Sequence, residues 1–531
     1  MSRRTIGNKV AVLAGTLVVM TACNKDIVTG VDPYAGGKEA LGIGFYVNYP
    51  DPGTARPGEL VDFRVKGLKG KLDKINFFVN NTPVEVVTAQ DSLVTIKVPQ
   101  QISSGDAKIV VGEEVFYGPR LDIEGNTKLD ENYGMVHGFR GSIDDIFPHA
   151  GGYIVAGPFF NFEQEAVPNT TYRDGIHFID GNGKTSSTMN FGQGTFGGSG
   201  FVSSIAKAKD GNFMLAGSMY KFNKRAIQNI VRVNSKGEVD EMVVEVINQT
   251  NDPKNSLDTV CTFNGGTNGM ILKTFTTTDN KVIAVGNFRN HYKIDYKYSS
   301  RDSRKYIISN AQGVIRMKAD GSLDSTFALN NAGANGLIMS AEMIDNDRIV
   351  IVGEFTTYNG KPANHIACIN ADGTVDETFK PNATAGRLTR VTYNSELKKL
   401  AVSGTFTGAG SSGKVNKVAL INTNGSVDEE FKLGDIGSGL INFAYVLNNG
   451  RVVVSGSQTS YNGVQRPGML ILEKDGQLLQ KYNSEAPFTG MIAKVVETRS
   501  SLGEPALLIG GYISQYGRKA VGNFLRVEIK E

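Results

Sequence analysis

The chain has 531 residues, which is too long for a single hydrophobic core, so it holds either several domains or one array of repeats. Its 56 Lys and Arg residues nearly balance its 53 Asp and Glu residues, and the formal net charge of +3 argues against a nucleic-acid-binding protein. Gly is frequent, at 63 residues, and Pro is scarce, at 16, which is typical of many tight turns between short strands.

The N-terminus has the pattern of a secretory signal. Residues 2–9 are basic, residues 10–20 form an apolar run that is too short to span a membrane, and small residues lead from there to Cys23. The tetrad MTAC, which ends at Cys23, resembles a bacterial lipobox. The alternative is an ordinary signal peptide followed by a chance cysteine.

The lipobox resemblance implies that residues 1–22 are a signal peptide and that Cys23 carries a lipid anchor in a membrane. Residues 23–41 are then a Gly-rich tether. Lys25 and Asp26 resemble part of a charged signal that sends Bacteroidetes lipoproteins to the cell surface, with chance as the alternative. We therefore expect a lipid-anchored protein of the outer membrane that faces the cell exterior.

Residues 42–122 contain short alternating strands such as LVDFRVKG, KINFFVNN and LVTIKVP, separated by turn residues, and this pattern predicts a small β-sandwich. The Pro57-Gly58-Glu59 opening, the hairpin VNNTPVEVV and the strands TIKVP and SGDAKIVV resemble an immunoglobulin-like domain of the IPT/TIG type. Such domains commonly act as spacers or docking modules, and a spacer is our expectation.

From about residue 130 onward one unit recurs seven times, most clearly in residues 339–379. An apolar run ends at a glycine in every unit, and the seven glycines are Gly157, Gly217, Gly286, Gly353, Gly404, Gly456 and Gly511. A run such as RIVIVG is apolar at successive positions, so we expect it to be buried on both faces between neighbouring sheets. The glycine marks either a close approach of two backbones or a β-bulge.

A second recurring pattern is an apolar strand followed by x-x-Gly-x-apolar-Asp. In three units its Asp also begins the pattern Asp-x-x-Phe, at Asp324 and Phe327, Asp376 and Phe379, and Asp428 and Phe431. We expect each Phe to fill the gap between two sheets. Asn370, Asp372 and Asp376 alternate oxygen donors as calcium loops do, but they lie in recurring hairpin turns, and turn chemistry is the preferred interpretation.

Units of this size with four short strands predict a β-propeller, and the count predicts seven blades. The last unit has room for only three strands, so its fourth should come from about residues 127–138 and pair with residues 523–529 to close the ring. The units resemble delta-60 repeats, a β-propeller family of bacterial surface and secreted proteins. We therefore predict an all-β protein with a seven-bladed propeller over residues 127–531; the resemblance implies no reaction.

The sequence contains no pattern that indicates catalysis or a cofactor. The five His residues lack metal-ligand spacing, and no nucleophile elbow, P-loop or dinucleotide fingerprint stands in a usable context. Among innermost-strand candidates we find Asp144, Asp145, Lys207, Lys209, Lys273, Glu342 and Lys494. Alternation along a strand directs the adjacent Asp144 and Asp145 to opposite faces, so no carboxylate pair is predicted. Cys368 is expected to be a small buried residue.

The most unusual segment is an insertion at residues 288–312, FRNHYKIDYKYSSRDSRKYIISNAQ. Its candidate ligand-binding residues are Tyr292, Tyr296, Tyr298, Tyr306, Arg301 and Arg304. Exposed Tyr rings could stack on sugars or cover a partner protein. The simpler interpretation is an amphipathic hairpin that covers a neighbouring blade. A second insertion, residues 161–174, could flank the same rim.

Three functions remain open. The first is a non-catalytic surface lipoprotein that binds an extracellular ligand, preferably a glycan, for an outer-membrane nutrient importer. The second is a protein-binding scaffold in an outer-membrane complex, and the third is a polysaccharide-degrading enzyme. The absence of Trp weakens the glycan hypothesis, because sugar platforms often use the largest aromatic ring.

Overall fold

A computed structural model describes residues 41–163, 173–195, 200–328, 332–381, 386–408, 415–466 and 468–530. These ranges are built almost entirely of strands, and their helical segments are the short 3-10 turns Leu72–Lys74, Pro253–Ser256, Tyr296–Tyr298, Asp345–Asp347 and Gln480–Tyr482. A search of the same ranges for a helix of membrane-spanning length and apolarity finds none. The signal, Cys23 and the tether lie outside the described residues.

The first part of the described chain is a two-sheet β-sandwich. One sheet contains, in spatial order, Gly44–Phe45, Leu60–Lys66, Leu93–Lys97 and Glu85–Gln90. The other contains Thr54–Ala55, Glu114–Ile123, Gly105–Val111, Ile75–Val79 and Thr82–Pro83. The ring of Phe77 in the second sheet lies 4.9 Å from that of Phe63 and 5.9 Å from that of Phe45 in the first. These aromatic contacts bury the facing sides of the two sheets.

The rest of the described chain holds seven antiparallel sheets, which we number blades 1 to 7. Their inner strands are Asp145–His149, Gly200–Lys207, Ile271–Thr276, Ile338–Ile344, Leu388–Asn394, Ile441–Val446 and Phe488–Arg499. Their middle strands are Gly152–Ala156, Phe213–Met219, Val282–Gly286, Arg348–Gly353, Lys399–Gly404, Val452–Gly456 and Pro505–Tyr516. Their outer strands are Ile176–Asp180, Ile230–Val233, Val314–Met317, Ile366–Ile369, Val418–Asn422, Met469–Leu472 and Phe524–Ile529. Each inner strand contacts the inner strands on both sides, and that of blade 7 contacts that of blade 1, so the sheets form a ring.

Each blade also has shorter strands or bridges outside its three main strands. A fourth strand, Val427–Asp428, pairs in blade 5, and single bridges stand in its place in blades 1 to 4 and blade 6. Short hairpins or pairs are Phe139–Gly141 with Phe159–Phe162, Lys221–Phe222 with Arg225–Ala226, Glu241–Glu245 with Leu257–Cys261, Thr357–Tyr358 with Lys361–Pro362, and Ser460–Tyr461 with Val464–Gln465. Lys519–Ala520 adds to the middle strand of blade 7. Blade 3 carries the side sheet Gly266–Thr267, Asn290–Ile294 and Tyr306–Asn310.

The repeated glycine lies at the closest approach between inner and middle strands. In blade 4 an added Cβ at Gly353 would lie 2.0 Å from the carbonyl oxygen of Leu337, and at the seven glycines that distance to the inner-strand segment ranges from 1.8 to 2.3 Å. The inner strand bulges beside the glycine, since Ile338 pairs with Gly353 and Ser340 with Val352, which leaves Met339 unpaired. The predictions of close approach and of a bulge are therefore both confirmed.

The Phe residues of the Asp-x-x-Phe pattern fill the gaps between blades, as predicted. Phe327 is buried among blade 4 residues, Phe379 among blade 5 residues and Phe431 among blade 6 residues. Each lies at the end of the preceding blade, so it packs across the junction. The hydroxyl-rich turns also follow the expectation, because Asp372 accepts the Thr374 N–H at 2.9 Å and Asp376 accepts the Thr378 N–H at 3.0 Å.

A strand from before blade 1 completes blade 7. Thr127–Leu129 pairs antiparallel with the outer strand Phe524–Ile529, so that Thr127 lies opposite Ile529 and Leu129 opposite Val527. The next residues repeat the pattern at the end of the other blades. Asp130 accepts a hydrogen bond from Arg526 at 2.8 Å, and the Arg526 guanidinium lies 4.1 Å from the centre of the Tyr133 ring. The last blade is therefore assembled from the two ends of the propeller.

The sandwich contacts the connection between blades 6 and 7. The Ser104 N–H donates to the Ser484 carbonyl at 2.8 Å, and the Ile102 N–H donates to the Gln480 side chain at 3.1 Å. Arg120 reaches Glu485 at 3.1 Å. These contacts fix the sandwich against the propeller in the described part of the chain, and the region from Ile43 onward forms one compact unit.

Candidate functional site

The insertion at residues 288–312 is a hairpin that grows from blade 3. Its strands Asn290–Ile294 and Tyr306–Asn310 pair antiparallel, with Tyr292 opposite Ile308. This hairpin is inserted between the middle strand and the outer strand of the blade. The 3-10 turn Tyr296–Tyr298 begins the connection between them and changes the direction of the side chains there.

Three of the four candidate Tyr residues line one cavity of about 350 Å³, which we call the insertion cavity. The rings of Tyr292 and Tyr306 have centroids 5.7 Å apart and planes inclined by 43°. Burial raises the pKa of the nearby Tyr296 to about 12, so its hydroxyl keeps its proton at neutral pH and can donate a hydrogen bond. The opposite wall is formed by the Lys221–Ala226 hairpin region and the strand Leu257–Cys261. The volume lies within the range of small-molecule sites.

The two candidate Arg residues also lie at the insertion cavity, but their donors are engaged within the protein. Arg301 donates to the carbonyls of Leu257 and Lys254, both at 2.8 Å. Arg304 pairs with Asp258 and donates to the Ser300 carbonyl at 3.0 Å. Both residues therefore hold the loop between the two hairpin strands against residues 254–258. They position the cavity wall and are not free to bind a ligand.

Tyr298, the fourth candidate Tyr, does not line the insertion cavity. Its side chain is 59% exposed, and the Lys297 ammonium lies 5.5 Å from the centre of its ring. The strand Glu241–Glu245 contacts the turn that contains Tyr298, and its Val243 side chain is exposed as well, at 64%. The insertion thus offers a concave site and, separately, an exposed surface. Of the second insertion, residues 164–172 lie outside the described part of the chain.

A second group of charged residues meets around the axis of the ring. It consists of Asp144, Asp145, Lys273, Glu342, Arg390 and Lys494, and we call it the axial cluster. Asp145 is buried and lies 3.3 Å from the Lys494 ammonium and 3.9 Å from that of Lys273. Burial alone would raise the pKa of Asp145, but these two ammonium groups hold it below its usual value. Burial raises the pKa of Asp144 to about 6 despite the nearby cations.

The expectation that Asp144 and Asp145 face opposite ways is wrong. The Asp144 N–H donates to the Ala156 carbonyl at 2.8 Å, and Asp145 is also paired with Ala156. Two consecutive residues therefore oppose one, which is a β-bulge, and alternation fails at that point. As a result both carboxylates interact with Lys273.

The other candidates from innermost strands divide into two groups. Lys273, Glu342 and Lys494 belong to the axial cluster, whereas Lys207 and Lys209 do not. Lys207 lies over the Phe213 ring at 5.8 Å, and Lys209 donates to the Thr278 carbonyl. Sequence reasoning missed Arg390. Its signal was available, because Arg390 follows the bulge of blade 5 just as Lys273 and Lys494 follow the bulges of blades 3 and 7.

Within the described ranges, no three His, Cys, Asp or Glu side chains come together as metal ligands. Cys261 and Cys368 are free and buried, and burial raises the pKa of the Cys368 thiol to about 12. Cys368 lies in the hydrophobic core shared by blades 4 and 5, as its apolar sequence context predicts. Neither thiol offers a reactive thiolate at neutral pH.

The ring of blades and the sandwich in front of it define the class of protein: this is an all-β protein with a β-propeller. A profile described as "Domain of unknown function (DUF5122) beta-propeller" matches residues 345–379, 398–431 and 447–478, which belong to blades 4, 5 and 6. A second profile, "Domain of unknown function (DUF5008)", matches residues 19–119. The chain is thus a β-propeller protein with an N-terminal DUF5008 domain.

Several solved structures are similar to this chain. The WD40 β-propeller domain of Doa1 is 12% identical, with 76% of this chain and 97% of that chain covered and a TM-score of 0.39. YCF48 bound to D1 peptide is 10% identical, with 77% and 96% covered and a TM-score of 0.38. A protein of unknown function from Bacteroides thetaiotaomicron is 12% identical, with 92% and 98% covered and a TM-score of 0.25. No curated protein sequence matches the chain.

Proposed function

We propose that the protein is a non-catalytic surface lipoprotein that binds an extracellular glycan at the insertion cavity, in the service of an outer-membrane importer. The insertion cavity is the observation that carries the proposal. The rings of Tyr292 and Tyr306 lie side by side in it, and the Tyr296 hydroxyl is held protonated. Tyr rings supply flat apolar faces for sugar C–H groups, and their hydroxyls hydrogen-bond to sugar hydroxyls.

The polar lining of the insertion cavity also suits a sugar. Asp258, Asp302 and Gln228 border it, and the Gln228 side chain donates to the Tyr306 hydroxyl at 3.4 Å. Carboxylates and amides are the groups that fix the orientation of a polyhydroxylated ligand in a mostly preformed pocket. Because Arg301 and Arg304 already hold the wall in place, little ordering remains to be done when a ligand binds.

The location and the family details belong to the same proposal. The MTAC tetrad supports lipid attachment at Cys23 after removal of residues 1–22, and in our proposal this anchor holds the propeller at the outer membrane. The resemblance of the units to delta-60 repeats and of residues 42–122 to IPT/TIG domains supports an extracellular setting. In this arrangement the sandwich is the spacer between the anchor and the ligand-binding ring.

The binding site is tested by affinity electrophoresis and a glycan array with the full-length chain in detergent. We expect retention by at least one glycan. Tyr292→Ala and Tyr306→Ala should each weaken binding about tenfold or more, because loss of a central aromatic residue usually costs at least about 1.4 kcal/mol. Tyr298→Ala, on the same hairpin but outside the insertion cavity, should bind as the wild type does. Retention by no glycan, or equal binding by Tyr292→Ala, contradicts the proposal.

The exposed apolar surface of the insertion favours a second candidate function, a protein-binding scaffold. Tyr298 and Val243, which lies on the strand that contacts the turn of Tyr298, are both more than half exposed, and neighbouring exposed apolar side chains are typical of a protein-binding surface. A scaffold predicts the opposite outcome to that of the glycan proposal. Tyr298→Ala and Val243→Ser would weaken co-purification with an outer-membrane partner, and Tyr292→Ala would not.

A further inference from the structure

The axis of the ring holds a second cavity, of about 580 Å³, which we call the axial cavity. It is lined by inner strands of blade 1 and blades 3 to 7, and it shares no lining residue with the insertion cavity. Its charged lining consists of four members of the axial cluster, Lys273, Glu342, Arg390 and Lys494, together with the carboxylates of Glu396 and Glu497. The two cavities are therefore separate candidates for binding, and each is defined by its own residues.

Arg390 makes no direct ion pair with a carboxylate in the described part of the chain, although Asp144 attracts it from a greater distance. Its guanidinium makes one hydrogen bond, to the Ala493 carbonyl, and lies 6.0 Å from the centre of the Phe443 ring. The remaining N–H groups of the guanidinium are available for hydrogen bonds at the wall of the axial cavity. Lys273 and Lys494 differ from Arg390 in this respect, because Asp145 pairs with both of them.

Glu342 is a negatively charged residue of the same cavity that also lacks a direct partner. Among the described residues its carboxylate accepts no hydrogen bond and takes part in no ion pair, although it lines the same cavity. Burial raises its pKa in spite of the attraction of Lys273, Lys494 and Arg390. Glu342 is half-buried at the wall of the axial cavity, so a group inside the cavity, ligand or water, can lie between Glu342 and Arg390 and hydrogen-bond to both.

We propose that the axial cavity binds a small ligand that carries a carboxylate next to hydrogen-bond-donating groups. The carboxylate meets the free N–H groups of Arg390, whose planar fork matches a carboxylate with two parallel hydrogen bonds. The donor groups of the ligand meet the Glu342 carboxylate. The Tyr445 hydroxyl lies in the same lining, and because burial raises its pKa to about 12, it is available as a neutral partner.

Two kinds of molecule supply this chemistry. A uronic acid offers a carboxylate beside hydroxyl groups, and an α-amino acid offers a carboxylate beside an ammonium group. Glucose has the hydroxyl groups of a sugar without the carboxylate. Calorimetric titration of the full-length chain in detergent with glucuronate, alanine and glucose therefore separates the sources. We expect saturable binding of glucuronate or alanine and none of glucose.

The variants test which residues hold the ligand. Arg390→Gln should weaken the binding at least about tenfold, which corresponds to about 1.4 kcal/mol. Arg387→Gln is the matched control, because Arg387 lies near the start of the same inner strand, is 64% exposed and pairs with Glu354 at the surface. It should bind as the wild type does. Tyr292→Ala, in the insertion cavity, should also leave this binding unchanged.

Glu342→Gln keeps the test decisive if Arg390→Gln folds poorly. The substitution breaks no hydrogen bond or ion pair of the described residues, so the variant should fold. It should weaken the binding at least about threefold, because a neutral amide replaces the charged acceptor of the ligand's donor groups. Failure of both glucuronate and alanine to bind overturns the proposal. Equal binding of glucose, or unchanged binding by Glu342→Gln, overturns it as well.

Discussion

At the scale of single residues, the repeated glycines and the bulges beside them decide how the axis is lined. The spacing of the glycines is visible in the sequence, and it predicts a close approach of two strands. The direction of the inner-strand side chains does not follow from simple alternation, because the bulge opposite each glycine interrupts the alternation. Asp144 and Asp145 illustrate this, since both interact with Lys273 although alternation separates them.

Gly353→Ala should destabilise the protein by about 1–3 kcal/mol or more, because the new Cβ would lie 2.0 Å from the Leu337 carbonyl oxygen and the backbone would have to move. Urea denaturation measures the change. Gly53→Ala is the control, since a Cβ there would meet nothing closer than 3.8 Å. Equal stability of Gly353→Ala and the wild type would show that the two strands are not in close contact.

At the scale of elements, the blades share one strand arrangement but differ in the residues that fill the gap to the next blade. Blade 6 ends in Tyr482 where blades 3 to 5 end in Phe, and Tyr482 is buried against blade 7 as those Phe residues are against their neighbours. Its hydroxyl accepts a hydrogen bond from Arg451 at 3.1 Å, and the guanidinium lies 4.5 Å from the ring centre. In blades 4 and 5 the residues at this place, Arg348 and Lys399, pair with the Asp of the pattern.

Tyr482→Phe should therefore cost about 1.5 kcal/mol, the usual contribution of a hydrogen bond to a charged group, while the packing of the ring is kept. Thermal unfolding monitored by circular dichroism gives the difference. Tyr117→Phe, at an exposed position of the sandwich, should change the stability by less than about 0.5 kcal/mol. If the two variants unfold alike, the Tyr482 hydroxyl does not take the place of the missing Asp.

The insertion shows how far an element can be predicted. Its sequence indicates a hairpin rich in Tyr, and the structure contains that hairpin. Alternation along a strand would direct Tyr292, Tyr296 and Tyr298 to one face. The 3-10 turn Tyr296–Tyr298 interrupts the strand, so Tyr296 lines the insertion cavity and Tyr298 does not. The turn contacts the strand Glu241–Glu245, which lies far from it in the sequence and could not be predicted to pack there.

At the scale of the whole molecule, the ring depends on a strand that precedes the first blade. The segment KLDENY, residues 128–133, repeats the pattern of TVDETF in residues 374–379, and it supplies Asp130 and Tyr133 to blade 7. The sequence therefore contains the closing strand and its aromatic plug. The register could not be read from the pattern alone, because it depends on pairing between segments at opposite ends of the propeller. The axial cavity requires this closure, since it is lined by inner strands from around the ring.

A designed disulfide between the closing strand and blade 7 tests the ring most directly. Thr127 and Ile529 lie opposite each other in a pair that is not hydrogen-bonded. Hydrogen-bonded pairs alternate along the ladder, and they include Asn126 with Lys530, whose N–H donates to the Asn126 carbonyl, and Asp130 with Arg526, whose carbonyl accepts the Asp130 N–H. Opposite residues of this kind have Cα atoms about 4.5 Å apart, which suits a disulfide. The control combines Thr127→Cys with Ala506→Cys on the middle strand, two strands away at about 9.6 Å.

Mass spectrometry of the oxidised Thr127→Cys/Ile529→Cys variant is the measurement. The closed ring predicts a linked peptide joining the two positions in nearly every molecule, together with a higher Tm than that of the reduced form, and no link in the Thr127→Cys/Ala506→Cys control. Free thiols at both positions after oxidation would mean that the strand does not close the propeller.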